Sequence, residues 1–195
     1  KKIYLFYIVC SLLILASVLP VHGQKLESNS LVTGVCYARN KVNRIYIPPP
    51  ENFFKKSLTK GGGSVKFYYS GFPDAAITAM EYAASILESV LPPETDVTIF
   101  ATWTKIAKSG VLANSSITSY ATGSYIDAPD PYAFYPVALA EKIYGNSLNT
   151  DSEGDITLTV NSSISWYFGT NGITPITKYD LVTVVLHEIC HGLGF

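Results

Sequence analysis

Apolar residues recur along this chain with two different periods, and the changes of period mark its elements. Val65 to Tyr69 is β-branched and aromatic, which predicts a strand ended by Gly71 and Pro73. Ala75, Ala79, Ala83, Ile86 and Val90 then return at helical spacing, so residues 74–91 should form an amphipathic helix capped by Asp74 and closed by Pro92-Pro93. Val97, Ile99, Ala101 and Trp103 fall on alternate positions of a half-buried strand over residues 96–105, which makes Trp103 a packing residue rather than a site residue. The stretch between Lys105 and Tyr135 reads as a loop rich in Gly, Ser, Asn and Pro, followed by a short helix over residues 137–144. Ile156, Leu158 and Val160 alternate again, and Ile164 to Phe168 reads as one more short strand. The expectation is an α+β arrangement: a mixed, twisted sheet with a long backing helix.

Leu181-Val182-Thr183-Val184-Val185-Leu186 would be a buried strand by propensity alone. The residues after it argue for a helix. His187-Glu188-Ile189-Cys190-His191 has the H-E-x-x-H spacing, and helical residues four apart lie about 40° apart around the axis and about 6 Å apart along it. Both imidazoles then reach one zinc ion at about 2 Å. In a strand they would stand about 13 Å apart, with Glu188 on the other side. A helix apolar on all sides is a buried one, and Asp180 is placed to cap it, so residues 180–193 are expected to form a buried central helix.

That chemistry assigns His187 and His191 as metal ligands and Glu188 as general base, with Zn2+ as cofactor. Glu188, offset by about 100°, falls beside the position where a water sits; it takes the proton as the oxygen attacks a peptide carbonyl and returns it to the leaving amine. Two histidines do not complete such a site, which normally has three protein ligands. The third is either a carboxylate already in the chain, Asp127, Asp130 or Asp155, or a residue beyond Phe195.

Composition narrows the setting. At 195 residues, 48% apolar and 15% charged with a net charge of −1, the chain suits one domain with a sizeable core and no polyanion-binding surface, so nucleic acid is not expected as a partner. The 14 tyrosines, as in Phe67-Tyr68-Tyr69, are a packing signal first. Lys1 and Lys2 followed by the apolar run Ile3 to Leu19 read as a secretory signal over residues 1–23, with cleavage after Gly23; a membrane anchor would need a longer run and stop-transfer charges. Secretion follows, with no membrane attachment after signal removal. Residues 24–63, with Pro48-Pro49-Pro50 and a boundary at Gly61-Gly62-Gly63, read as an N-terminal arm or propeptide, and residues 64–195 as the catalytic domain. The lack of an initiator Met and of a polar finishing segment reads as a fragment.

Cys10 leaves with the signal, so Cys36 and Cys190 remain, and spacing cannot decide whether they pair, pair elsewhere or stay free. Cys36 capping the zinc in a latent form is a further option, without a supporting motif around it. Asn114-Ser115-Ser116 and Asn161-Ser162-Ser163 match the N-glycosylation acceptor and predict surface loops, if the host is a eukaryote.

Leu186 to Phe195 resembles the active-site segment of secreted zinc metallopeptidases of the metzincin type, particularly those reading H-E-I-x-H-G-L-G-F. Gly71-Phe72-Pro73, Tyr135 to Ala140 and residues 155–168 are similar to the stretches that precede that segment in such proteins. The resemblance implies a zincin-like N-terminal subdomain acting on protein or peptide substrates, with zinc on His187 and His191 and Glu188 as base. It also implies that Gly194 ends the helix so that a third ligand can swing in, and that the strand over residues 155–160 is the sheet edge where an extended substrate pairs. The Met-turn and third ligand find no match in this chain. The competing expectations are a non-catalytic secreted or surface adhesion module on the same fold, and a gluzincin-type peptidase completed by a downstream Glu.

Overall fold

A computed structural model describes residues 25–26, 33–38, 49, 53, 63–93, 96–150 and 152–195. The expected signal over residues 1–23 and most of the expected arm over residues 24–63 lie outside the described residues. The strands are β1 (Lys25–Leu26), β2 (Thr33–Tyr37), β3 (Ser64–Ser70), β4 (Asp96–Thr104), β5 (Val111–Ile117), β6 (Tyr120–Thr122), β7 (Phe134–Pro136), β8 (Ile156–Asn161), β9 (Trp166–Tyr167) and β10 (Tyr179–Asp180). The helices are α1 (Asp74–Glu88), α2 (Gly123–Ile126), α3 (Val137–Tyr144) and α4 (Leu181–Gly192).

The main sheet has five strands in the order β2-β5-β8-β4-β3. β3, β4 and β8 run parallel, while β5 is antiparallel to both β8 and β2. Ile156, Leu158 and Val160 of β8 are 0% exposed, and burial of each contributes about 1.5–3 kcal/mol, which suits a strand at the centre of a sheet. One core joins this sheet to α1 and α4, which also pack on each other. The buried residues of α1 are Ala76, Ala79, Met80, Ala83, Ala84, Ile86 and Leu87, so Ala79, Ala83 and Ile86 of the expected stripe are buried, while Ala75 and Val90, which lies past the helix end, are exposed. Pro73, not Asp74, holds the cap position, and Asp74 instead brings its negative charge into the first turn, where the helix dipole favours it.

Several expectations need correcting. Residues 106–134 are not a loop: they hold β5, β6 and α2. β5 escapes propensity because its core-facing positions include Ala113 and Ser115, which are small so that α4 can lie close. The strand over residues 156–161 is no edge, because β4 and β5 take up both of its sides. β5, in turn, has its outer side paired with β2, so a segment ahead of the glycine boundary belongs to the same sheet as the rest. Neither acceptor asparagine lies on a surface loop. Asn114 sits within β5, and Asn161 is 4% exposed, with its amide accepting from Ile106 N and Ser163 N and donating to Val111 O. Trp103 packs against Phe72, Trp166 and Phe168 as expected of a packing residue. No helix among the described residues is long and apolar enough to cross a membrane.

Candidate metal centre

The β-branched run that precedes the histidines is helical because its burial demands are met on that geometry. Leu181, Val182, Val184, Val185 and Ile189 all enter the core, which a strand could bury only by having a covered face on each side. Asp180 starts the helix: its Oδ1 accepts from Thr183 N at 2.7 Å and its Oδ2 from Thr174 Oγ1 at 2.9 Å. At the other end Gly194 takes φ +100°, a region that L side chains rarely adopt, and the chain turns there. That turn carries the Phe195 carbonyl to within 2.9 Å of His191 Nδ1.

A carbonyl only accepts, so Nδ1 of His191 carries the proton and Nε2 presents its lone pair. The Nε2 atoms of His187 and His191 stand 3.1 Å apart, with the rings at 80° to one another. Two imidazole nitrogens bound tetrahedrally to one zinc lie about 3.3 Å apart. The pair therefore fits a shared ion. Glu188, between them in sequence, turns inward and is 0% exposed. Its Oε2 accepts from Ser115 Oγ at 2.9 Å, while Oε1 has no hydrogen-bond partner among the described residues. Leaving such an oxygen unsatisfied costs about 1–3 kcal/mol, which marks the place for a group from outside the chain.

Cys36 of β2 is the third element. Its Sγ, a ring nitrogen of His187 and a carboxylate oxygen of Glu188 all lie within 4.8 Å of one another. Burial, followed by the negative charge of Glu188, pushes the Cys36 thiol above its ordinary value. Gly34, two residues earlier, rests on the His191 imidazole, where a Cβ would come 2.6 Å from Cδ2. Cys36 and Cys190 are both free, so the pairing weighed for them is not formed. None of Asp127, Asp130 and Asp155 joins this group. Asp127 is the left-handed cap of α2, Asp130 accepts from Tyr132 N in a turn, and Asp155 accepts from Thr98 N and Asn149 Nδ2.

The site that sequence places on one helix is thus shared with two strands. Reading its segment as a loop hides Ser115, for which the alternation of Ala113, Ser115 and Ile117 is the one available signal, while Cys36, weighed from the sequence as a cap on the zinc, has no motif around it. Beside His187 and Cys190 opens a mostly apolar cavity of about 390 Å³, bounded by Tyr82 and Ile86 of α1 and by Val182 and Leu186 of α4.

Comparison with known proteins gives kinship without a described activity. A Schizosaccharomyces pombe protein, the uncharacterized protein PB7E8.01, is 36% identical over 62 residues, which is 32% of this chain and 11% of that relative's length. No solved structure matches the chain. A family described as SPBPB7E8-like matches residues 70–195, from the end of β3 through the histidine helix, and the chain belongs to that family.

Proposed function

We propose that this chain is the metal-binding part of a secreted zinc-dependent metalloendopeptidase of the metzincin type, acting on protein or peptide substrates. The observation that carries the reading is the convergence of His187 Nε2 and His191 Nε2 at 3.1 Å beside a buried Glu188 whose Oε1 lacks a partner among the described residues. Zinc, when bound, supplies the Lewis acidity that activates water and polarises a peptide carbonyl. His187 and His191 hold it. His191 is kept in the ligating tautomer by the Phe195 carbonyl, and Glu188 takes the proton of the attacking water at Oε1 and passes it to the leaving amine.

Cys36 is the third donor in this arrangement. Among the described residues it replaces the aspartates as the candidate, and it comes from a strand on the outer side of β5. Cys36 clusters with His187 and Glu188, and His191 meets that cluster through His187 Nε2, so a thiolate at Cys36 would add a sulfur donor of the kind zinc accepts beside the histidine pair. With β2 in place, the outer side of β5 is already paired, so an extended substrate must displace β2 or bind elsewhere.

The test is zinc content and peptide cleavage of the full-length protein. The expected result is about one zinc per chain, lost in His187→Ala and in His191→Ala but kept in Glu188→Ala, where cleavage disappears. Cleavage that survives Glu188→Ala, or a wild-type protein that takes up no zinc, overturns the proposal. Zinc bound without any cleavage would instead favour a non-catalytic binding module.

A further inference from the structure

Ser115 stands where α4 crosses the sheet. It lies on β5, paired with Leu158 of β8 on one side and with Gly34 of β2 on the other, and it is 1% exposed. Its hydroxyl lies 2.8 Å from the Glu188 main-chain carbonyl and 2.9 Å from Oε2 of the same residue. A hydroxyl has one proton, so its donor is shared between, or alternates between, two acceptors that belong to the backbone and the side chain of one glutamate. Both contacts are buried, so water does not compete for them.

We infer that Ser115 is a positioning residue for Glu188. By holding Oε2 and the carbonyl together it fixes the carboxylate relative to its own helix turn, and it leaves Oε1 as the oxygen available for proton transfer. No other side-chain hydrogen bond to the Glu188 carboxylate occurs among the described residues, so rotation of that group about its last bond is opposed by Ser115. Ala113, the neighbouring inward position on β5, offers no hydrogen-bonding group, which puts the whole of this restraint on one hydroxyl. This inference rests on the peptidase reading above and adds a residue that the helix motif does not contain.

The experiment uses the full-length protein with Ser115→Ala, Ser115→Thr and Ser115→Val, measuring zinc content, kcat and KM for a peptide substrate, and denaturation of the zinc-free protein. Ser115→Ala should keep its zinc and its KM and lose kcat by about 10- to 100-fold, the range found when an outer partner of a metal-site residue is removed. Thr and Val have the same shape, so Ser115→Thr should retain clearly more turnover than Ser115→Val if the hydroxyl matters. A zinc-free double-mutant cycle with Glu188→Ala should be non-additive, with the two single losses together exceeding that of the double variant. Wild-type kcat in Ser115→Ala, equal turnover in the Thr and Val variants, or an additive cycle overturns the positioning role while leaving Glu188 as base. Absence of zinc-dependent cleavage in the wild type overturns the parent reading and this role with it, and is told apart by the unmutated control.

Discussion

Gly34 and His191 meet face to face: the glycine lies against the imidazole, and a Cβ on it would stand 2.6 Å from Cδ2 and 2.9 Å from the His191 Cβ. The contact couples a strand near the beginning of the described chain to a metal-ligand candidate near its end. It explains why β2 can approach so closely that Cys36, on the same side of the strand, reaches His187 and Glu188.

A side chain at position 34 must therefore push either β2 or the imidazole aside. Gly34→Ala is expected to destabilise the protein by about 1–3 kcal/mol, as overpacking of a filled site does. It should also weaken zinc binding. Chemical denaturation and zinc titration of the same variant check both, and a wild-type midpoint with wild-type affinity would mean that β2 does not cover His191 in solution.

Zinc should stabilise the folded protein, because the pair of imidazoles comes together only there. At free zinc about 100 times its dissociation constant the gain is about 2.7 kcal/mol. Thermal melts with zinc and with a chelator should separate accordingly, and His191→Ala should bring the two curves together. A melt insensitive to the chelator, in protein shown to contain zinc, would count against the shared site.

The two free thiols should respond differently to metal. Burial pushes both above the ordinary thiol range, so each should react slowly with an alkylating reagent near neutral pH, and Cys190 should speed up only as the pH passes above that range. Zinc should protect Cys36 and leave Cys190 unchanged, as peptide mapping of the alkylated protein would record. Equal protection of both, or of neither, would remove Cys36 from the donor set.

Asp180 holds the helix start through Thr183 N and Thr174 Oγ1. Asp180→Ala should cost about 0.5–2 kcal/mol by loss of the cap, with Asp180→Asn retaining most of the stability. Denaturation midpoints of the pair test this, and identical losses in both would assign the effect to the charge instead of the cap.

Local features were legible wherever a short stretch of chain decides its own structure. Alternation marked β4 and β8, and the short helix over residues 137–144 forms where it was expected. Spacing of the histidines outweighed β propensity for α4, since one shared ion requires the four-residue interval to be helical. In the backing helix Ala79, Ala83 and Ile86 are buried at the expected spacing, and only Ala75 at its start and Val90 past its end are exposed, because a run rich in alanine offers little contrast between its faces. β5 went unseen because a strand that must let a helix approach carries small residues where propensity looks for large ones.

What the sequence alone determined is the placement of three groups within one helical turn: His187, Glu188 and His191, with Asp180 ahead of them and Gly194 after. Only the tertiary structure decided what faces that turn. Ser115 is 73 positions from Glu188 and reaches it because β5 lies under α4, while Cys36 arrives on a strand added outside β5, and β4 and β5 on its two sides make β8 an interior strand. Contacts between distant segments depend on strand order and register, and a one-residue shift in register would turn Ser115 and Cys36 to the opposite face of the sheet. No local pattern of residues encodes that choice; it is made when the whole core packs.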